Sequence, residues 1–448
     1  MAAENDRCLG YMAEFEAGLT PEKARAFSVI KRAYTGSAPL RVLAQLPAHK
    51  ILNASEQMAF EAERVRALPE QVAPSSDLVL ILKATRLCNL RCEYCISWAE
   101  GANQVMRFDV LVRTLREFLT MRGATTVDVV WHGGEVTMLK PKLLKKALWL
   151  QESFRQEGQT ILNAVQTNAT RLTDEWMDLL AEYDFQVGIS LDGPPEVHDQ
   201  RRRDKKGLPT SRLVEQSIAK LNRAGIRFGV LVVVDRAVLQ IGAERVLDYL
   251  AGIGVESVHF LPLDGTDPKI YIDGGRHFEV DDSFVPYSQY VSFLERGFEY
   301  WWDRYKGRLA VAIFEDLIEA VQNKDAPRSH MCYWKGNCMN SVFVVEPTGE
   351  VGPCDTFTGN PNRFYGRIGE RPLVPMLDSS ANLRLNRQEM IDGPRHMTDC
   401  EWFRLCKGGC PHDRLLARVS KTVTSCCGLS PLLKRIETVV RRERSVGV

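Results

Sequence analysis

The chain carries almost no net charge: 58 Lys and Arg stand against 57 Asp and Glu. No overall field therefore recruits nucleic acid or an anionic membrane surface. Long apolar runs are also missing. Stretches such as Leu78 to Leu82 and Val230 to Val234 fall far short of the ~20 residues that span a bilayer. The opening MAAENDRCLG lacks the basic-then-apolar pattern of a secretory signal. Nothing in the composition suggests disorder. These absences predict a cytoplasmic protein with no nucleic-acid or membrane partner, acting on a guest held in a local pocket.

What the chain does have is length and cysteine. Its 448 residues exceed the roughly 100–200 of one ordinary domain, so two or three domains are expected. Its 12 cysteines are clustered: three at 88–95, three at 332–354, five at 400–427, with Cys8 alone and assigned no role. In a reducing compartment, clustered cysteines are metal ligands more often than disulfides. Zinc and iron–sulfur both fit that statement.

Residues 1–76 read as helical, with Pro21 near the start of one candidate helix and Ala54 to Ala67 forming another. Pro74-Ser-Ser-Asp77 is a loop signal. From there to about residue 265, short apolar strands alternate with amphipathic helices. The candidate strands are Leu78 to Ala84, Val127 to His132, Ile161 to Thr167, Val187 to Leu191, Arg227 to Val234 and Val258 to Leu263. In the first intervening helix, Phe108, Leu111, Val112, Leu115, Phe118 and Leu119 recur at helical spacing. Arg113, Arg116 and Glu117 are expected on its outer face. Six such repeats imply parallel strands with right-handed crossovers, in a partial or complete barrel or an open sheet. Active sites of such folds gather at the C-terminal ends of the strands.

After the first strand comes Thr85-Arg-Leu-Cys-Asn-Leu-Arg-Cys-Glu-Tyr-Cys, a loop with thiols at 88, 92 and 95. Three soft ligands can hold three irons of a 4Fe-4S cluster and leave the fourth open. A structural zinc site wants a fourth ligand nearby, yet the next Cys or His after Cys95 is His132. The later strand ends carry Trp131-His-Gly-Gly-Glu135, Gln166-Thr-Asn168, Ser190-Leu-Asp-Gly193 and His198-Asp-Gln-Arg-Arg-Arg-Asp204. Paired glycines allow close backbone approach to a ligand, and a carboxylate can accept from an ammonium.

The C-x3-C-x2-C loop, with Tyr94 before its last cysteine, resembles the signature of the radical S-adenosylmethionine (SAM) superfamily. That resemblance implies an α/β fold: a partial (β/α)6 TIM-like barrel with an N-terminal helical segment and a C-terminal cysteine-rich domain. It implies a 4Fe-4S cluster on Cys88, Cys92 and Cys95 whose open iron chelates SAM, and hydrogen abstraction by a 5′-deoxyadenosyl radical. Gly133, Gly134 and Glu135 would hold the SAM amino group, and Gln166, Asn168, Ser190 and Asp192 would supply polar partners for ribose and carboxylate. The stretch from His198 is similar to the H-D-x-x-R-x-D of the peptide-modifying branch, through His198, Asp199, Arg202 and Asp204. Arg202, with Ser190, would bind the SAM carboxylate.

The C-terminal cysteines resemble the SPASM extension of anaerobic sulfatase-maturating enzymes and of maturases of ribosomally made peptides. Phe343-Val-Val-Glu-Pro-Thr-Gly-Glu-Val-Gly-Pro-Cys-Asp355 and Cys406-Lys-Gly-Gly-Cys-Pro411 carry the likeness. By that similarity Cys332, Cys338, Cys354 and Cys410 would ligate one auxiliary 4Fe-4S cluster. A second would take Cys400, Cys406 and Cys426; where the family has a further cysteine this chain has Met397, so either Cys427 substitutes, or that cluster has a labile iron or a non-cysteine ligand, or it is absent. Asp355 would be the base that deprotonates the target side chain, its proton affinity raised by the neighbouring anionic cluster. The implied domains are 1–76, a helical segment; 77–300, the radical SAM core; 301–325, a bridge; and 326–448, the auxiliary-cluster domain.

The expected activity is oxidative modification of a precursor peptide, forming a cross-link or cyclophane, with flavodoxin or ferredoxin as electron donor. The alternatives are formylglycine formation from Ser or Cys in a sulfatase, and oxidation of a small-molecule alcohol. Met397 and the extra N-terminal segment depart from the sulfatase-maturase pattern and favour the first. The N-terminal segment is expected either to hold a leader peptide or to pack against the open side of the barrel.

Overall fold

The computed structural model describes residues 38–263, 285–323, 331–357, 363–414 and 427–446. The candidate helix at Pro21, Cys8 and Cys426 lie outside them. Seven strands run in chain order from β1 to β7: Asp77–Thr85, Thr126–Gly133, Thr160–Thr167, Gln186–Ser190, Phe228–Val234, Ser257–Pro262 and Ala310–Val311. Each pairs with the next in parallel. The six strands read from the sequence are all present, their ends shifted by a residue or so. Helices between them build the outer layer of a partial barrel.

The periodicity explains the layering. In β1, Leu78, Leu80, Leu82 and Ala84 are buried beneath the helices, and full burial of such a side chain stabilises by about 1.5–3 kcal/mol. The alternate residues Val79, Ile81, Lys83 and Thr85 face the barrel interior. The same alternation in β2 turns Asp128, Val130 and His132 inward. Lys83 and His132 are register partners.

The C-terminal extension adds strands to this sheet. Three more strands, β8 (Val342–Val345), β9 (Glu350–Gly352) and β10 (Gly366–Arg367), follow. β8 lies parallel to β1, and β9 and β10 continue antiparallel, giving the order β10-β9-β8-β1-β2-β3-β4-β5-β6-β7. Because β8 runs with β1, it ends at the same mouth of the barrel as the cysteine loop. Of residues 301–325, read as a bridge, the described 301–323 hold the end of the helix Tyr287–Arg304, β7 and the helix Ala312–Gln322. The helix Ser430–Val446 packs on both helices.

The helix Phe108–Leu119 forms as expected, but its outer face does not stay in water. Arg116 and Glu117 are buried. Glu117 accepts from Arg66 (2.6 Å), Gln71 (3.1 Å) and the Leu373 backbone N–H (3.0 Å), joining residues from before and after the barrel. The described part of the N-terminal segment, residues 38–76, thus packs on the outer helical layer. Its helix Ala54–Val65 starts with a reciprocal Asn53/Glu56 capping box. Phe60 meets Trp149 edge-on at 4.9 Å. The helix's periodic apolar face shows what it contacts on the core side only; the polar face hides its partners.

Candidate active site

The cysteine loop is held by backbone from two directions. Arg91 and Glu93 N–H groups donate to Arg203 and Arg201 carbonyls at 2.7 and 3.0 Å. On the other side, Gly134 and Glu135 N–H groups donate to Thr85 and Leu87 carbonyls at 2.8 Å each. Gly133 has φ +138, and a Cβ there would lie 1.8 Å from the Thr85 carbonyl oxygen. A Cβ on Gly134 would meet the Arg86 and Leu87 carbonyls at 2.4 Å. The close approach these glycines permit is therefore to the cysteine loop itself.

Each thiol of the loop has a nitrogen donor. Leu90 N–H and the Asn168 amide face Cys88 Sγ at 3.3 and 3.8 Å, Ser97 N–H faces Cys95 Sγ at 3.4 Å, and Arg202 reaches Cys92 Sγ at 4.0 Å. Burial pushes the Cys88 thiol up to about 11 and the Cys92 thiol up to about 12, the latter opposed by the Arg202 guanidinium. A cation bound among thiols favours their thiolate form against such burial. Nitrogen donors aimed at each sulfur, with the Arg202 guanidinium beside Cys92, suit a cysteine-held iron–sulfur cluster.

Around that loop the strand ends form two linked networks. Glu135 is buried and accepts from Thr137 N–H and hydroxyl (2.9 and 2.6 Å), the Thr167 hydroxyl (2.7 Å) and Asn168 N–H (2.7 Å). Gln166 donates to Ser190 Oγ at 3.0 Å, lying across Gly188, where a Cβ would strike it at 2.1 Å. Asp192 accepts from Arg202 at 2.8 Å, from Val233 N–H at 3.0 Å and from the Tyr94 hydroxyl. Burial opposes its charge, yet Arg202 holds its carboxyl below the usual range. Arg202, expected on the SAM carboxylate, is thus paired to Asp192 and presents its remaining nitrogen toward Cys92.

The rest of the H-D-x-x-R-x-D stretch is scaffold. His198 Nδ1 accepts from Asp192 N–H at 3.3 Å, and its Nε2 faces Thr210 Oγ at 3.1 Å. Asp199 accepts from Thr210 and Ser211 N–H groups at 2.9 Å, at the start of the helix Ser211–Arg223. Asp204 closes a turn by accepting from Lys206 and Leu208 N–H groups at 2.8 Å.

At the barrel mouth Asp355 meets Lys83 and His132, whose roles sequence reasoning passed over. Lys83 is wholly buried. It donates to Ser97 Oγ at 2.8 Å and ion-pairs Asp355. The other Asp355 oxygen lies 3.7 Å from His132 Nε2. The signal for Lys83 was available: it interrupts the apolar strand Leu78 to Ala84. The ammonium also supplies positive charge that a carboxylate judged only by its neighbouring cysteine was not credited with.

Of the four cysteines 332, 338, 354 and 410, Cys338, Cys354 and Cys410 lie within electrostatic reach of one another, and Cys332 within reach of Cys338 and Cys354. Cys332 and Cys338 head two short helices, Cys332–Lys335 and Cys338–Ser341. Burial is the main influence on the Cys338, Cys354 and Cys410 thiols, raising all three. Cys338 also feels Cys332, Cys354 feels Cys338 and Cys332, and Cys410 feels Cys354 and Cys338. Four thiols are the donor chemistry of an iron–sulfur cluster, while among the described residues no group of three or more His, Cys, Asp or Glu is gathered as a site for a single metal ion. Further out, Cys406 and Cys427 share a side-chain hydrogen bond that brings Cys406 down to about 7. Lys407, Gly408 and Gly409 all have positive φ and wrap the loop around Cys406, with Gly408 N–H at 3.4 Å from its sulfur. Met397 is buried beside that loop.

A cysteine loop at the end of the first strand of a partial parallel barrel, backed by Gly-Gly-Glu at the second, defines a radical SAM enzyme. Residues 82–243 match the Radical SAM superfamily. A serine-type anaerobic sulfatase-maturating enzyme of Bacteroides thetaiotaomicron is 30% identical over 373 residues, covering 80% of this chain and 86% of that one. The cysteine-type enzyme of Clostridium perfringens is 28% identical over 340 residues, 74% and 88% of the two chains. The chain belongs to the family of anaerobic sulfatase-maturating enzymes. Among solved structures, native anSMEcpe with bound AdoMet and a peptide is 27% identical at TM-score 0.67, covering 83% of this chain and 99% of that one. Streptococcus suis SuiB bound to the precursor peptide SuiA shares the fold, at 15% identity and TM-score 0.52. The cofactors are accordingly SAM, a 4Fe-4S cluster that binds it, and auxiliary 4Fe-4S iron. Among the described residues no helix is long and apolar enough to cross a membrane.

Proposed function

We propose that the chain oxidises a Ser or Cys side chain of a peptide or protein to formylglycine, a reading supported by relatives named serine-type and cysteine-type anaerobic sulfatase-maturating enzymes. The carrying observation is the delivery of Asp355 to the barrel mouth by β8 and β9, where it ion-pairs Lys83. Cys88, Cys92 and Cys95 would hold a cluster that, with SAM, would supply hydrogen-atom abstraction, and the C-terminal cysteines would hold auxiliary iron able to accept the second electron.

The chain's own residues do the rest. Asp355 accepts the proton of the target hydroxyl or thiol. Lys83 ion-pairs it on one side, and His132 closes the other. Gly133 and Gly134 hold the cysteine loop close to the second strand, while Asn168 and Arg202 direct donors at its sulfurs. Cys332, Cys338, Cys354 and Cys410 hold the auxiliary cluster nearest Asp355.

The expectation of peptide cross-linking gives way here. Its two supports were Met397 and the N-terminal segment, and the relatives at 28–30% identity are sulfatase maturases over most of their length. The likeness to SuiB carries the fold alone. The test is anaerobic turnover with a synthetic peptide spanning a sulfatase modification site. Formation of an aldehyde, trapped by a hydrazide, supports the reading; SAM cleavage with an intact peptide, or a cross-linked peptide, overturns it.

A further inference from the structure

We infer that Lys83 is a positioning residue that fixes the Asp355 carboxylate over the barrel mouth and ties it, through Ser97, to the cysteine loop. The inference rests on the reading of Asp355 as proton acceptor.

Three observations carry it. First, Lys83 has no exposed surface, and an ammonium taken fully out of water is costly unless it is paired. Well-packed apolar residues often serve stability as well as a buried ion pair or better, and Leu82 and Ala84 flank the position, so packing alone does not account for a lysine.

Second, its two partners come from the two halves of the reaction machinery. Ser97 follows Cys95 by two residues, and its hydroxyl oxygen accepts from Lys83 at 2.8 Å. Asp355 follows Cys354 directly, in the extension after β9. One side chain on the first strand therefore sets the position of the carboxylate against the loop that generates the radical.

Third, the surroundings leave the carboxylate little freedom. Its second oxygen faces His132 Nε2 at 3.7 Å. His132 Nδ1 is turned to the Gly133 backbone, 2.7 Å from its N–H and 3.3 Å from its carbonyl oxygen, which leaves Nε2 as the ring nitrogen turned toward Asp355. With one oxygen bound to Lys83 and the other turned to His132, the carboxylate has a defined plane from which to meet a target side chain. A misplacement of about 1 Å at such a site can cost on the order of a hundredfold in rate.

The experiment compares reconstituted wild type, K83M, K83R, D355N and K83M/D355N with the sulfatase-derived peptide. It measures iron content, 5′-deoxyadenosine formed, product per 5′-deoxyadenosine, kcat and KM. The expected K83M enzyme keeps its iron and still cleaves SAM, while product per 5′-deoxyadenosine falls about tenfold or more through kcat. K83R recovers part of that loss. In the D355N background K83M adds nothing further.

A K83M enzyme with wild-type coupling overturns the inference. So does one that loses iron, SAM cleavage and product together, since that is a structural role. If wild type makes some product other than formylglycine, yet K83M and D355N remain non-additive, the proposed reaction fails and the positioning role stands.

Discussion

Arg86, just past β1, and Glu346, just past β8, form a buried ion pair at 3.0 Å. Arg86 also donates to the Ile96 carbonyl at 2.9 Å. The pair locks the radical-generating loop to the extension that carries Asp355, so the spacing of the two half-sites is fixed at the edge where β8 meets β1.

Removing one partner strands the other charge. Glu346→Gln is expected to cost about 3–5 kcal/mol in urea unfolding, whereas the double variant Arg86→Met/Glu346→Leu should cost much less. A double-mutant cycle checks it; additive losses would mean that the pair does not couple the two regions.

Gly134→Ala should empty the first cluster site while leaving the fold. An added Cβ would stand 2.4 Å from two carbonyl oxygens of the cysteine loop, and backbone cannot yield as a side-chain tip can. Iron analysis of the reconstituted variant should show a loss of about four irons per chain. Gly101→Ala is the control, since a Cβ there meets nothing within 4 Å; its strain is confined to its own positive φ.

Cys427 already stands beside Cys406. Met397→Cys is therefore expected to leave the iron content unchanged, and Cys427→Ala to lower it. Gain of iron by the Met397 variant would show that the outer site lacks a ligand that Cys427 does not supply.

Two buried histidines set an acid limit. Burial brings His198 and His412 down to about 4, against an ordinary value near 6.5. The unfolded chain then binds more protons than the folded one between those values, so stability is fully present above about pH 6.5 and falls as pH drops toward 4. Each histidine contributes up to about 1.4 kcal/mol per pH unit of that fall. Urea midpoints at pH 7 and pH 5 should show it, and His198→Gln should flatten the slope.

The six barrel strands were legible because apolar residues in short runs alternate with amphipathic helices, and the helices' apolar stripe is a local property of sequence. The cysteine loop was legible for a similar reason: three ligands within eight residues need no tertiary information. Glu117 was misplaced on an exposed face because its partners, Arg66, Gln71 and Leu373, come from distant segments. Lys83 went unnoticed for the converse reason. Its environment is set by β8, whose insertion beside β1 is a long-range pairing that no local pattern announces. Arg202 was found by motif, yet its pairing with Asp192 needed the fold.

The central claim is that this site removes a hydrogen atom from the β-carbon of a Ser or Cys in a peptide. The most direct measurement uses a sulfatase-derived peptide deuterated at that carbon, followed by mass analysis of both products. The account predicts deuterium in 5′-deoxyadenosine together with an aldehyde in the peptide. Unlabelled 5′-deoxyadenosine alongside modified peptide, or label transfer ending in a cross-link, would contradict it.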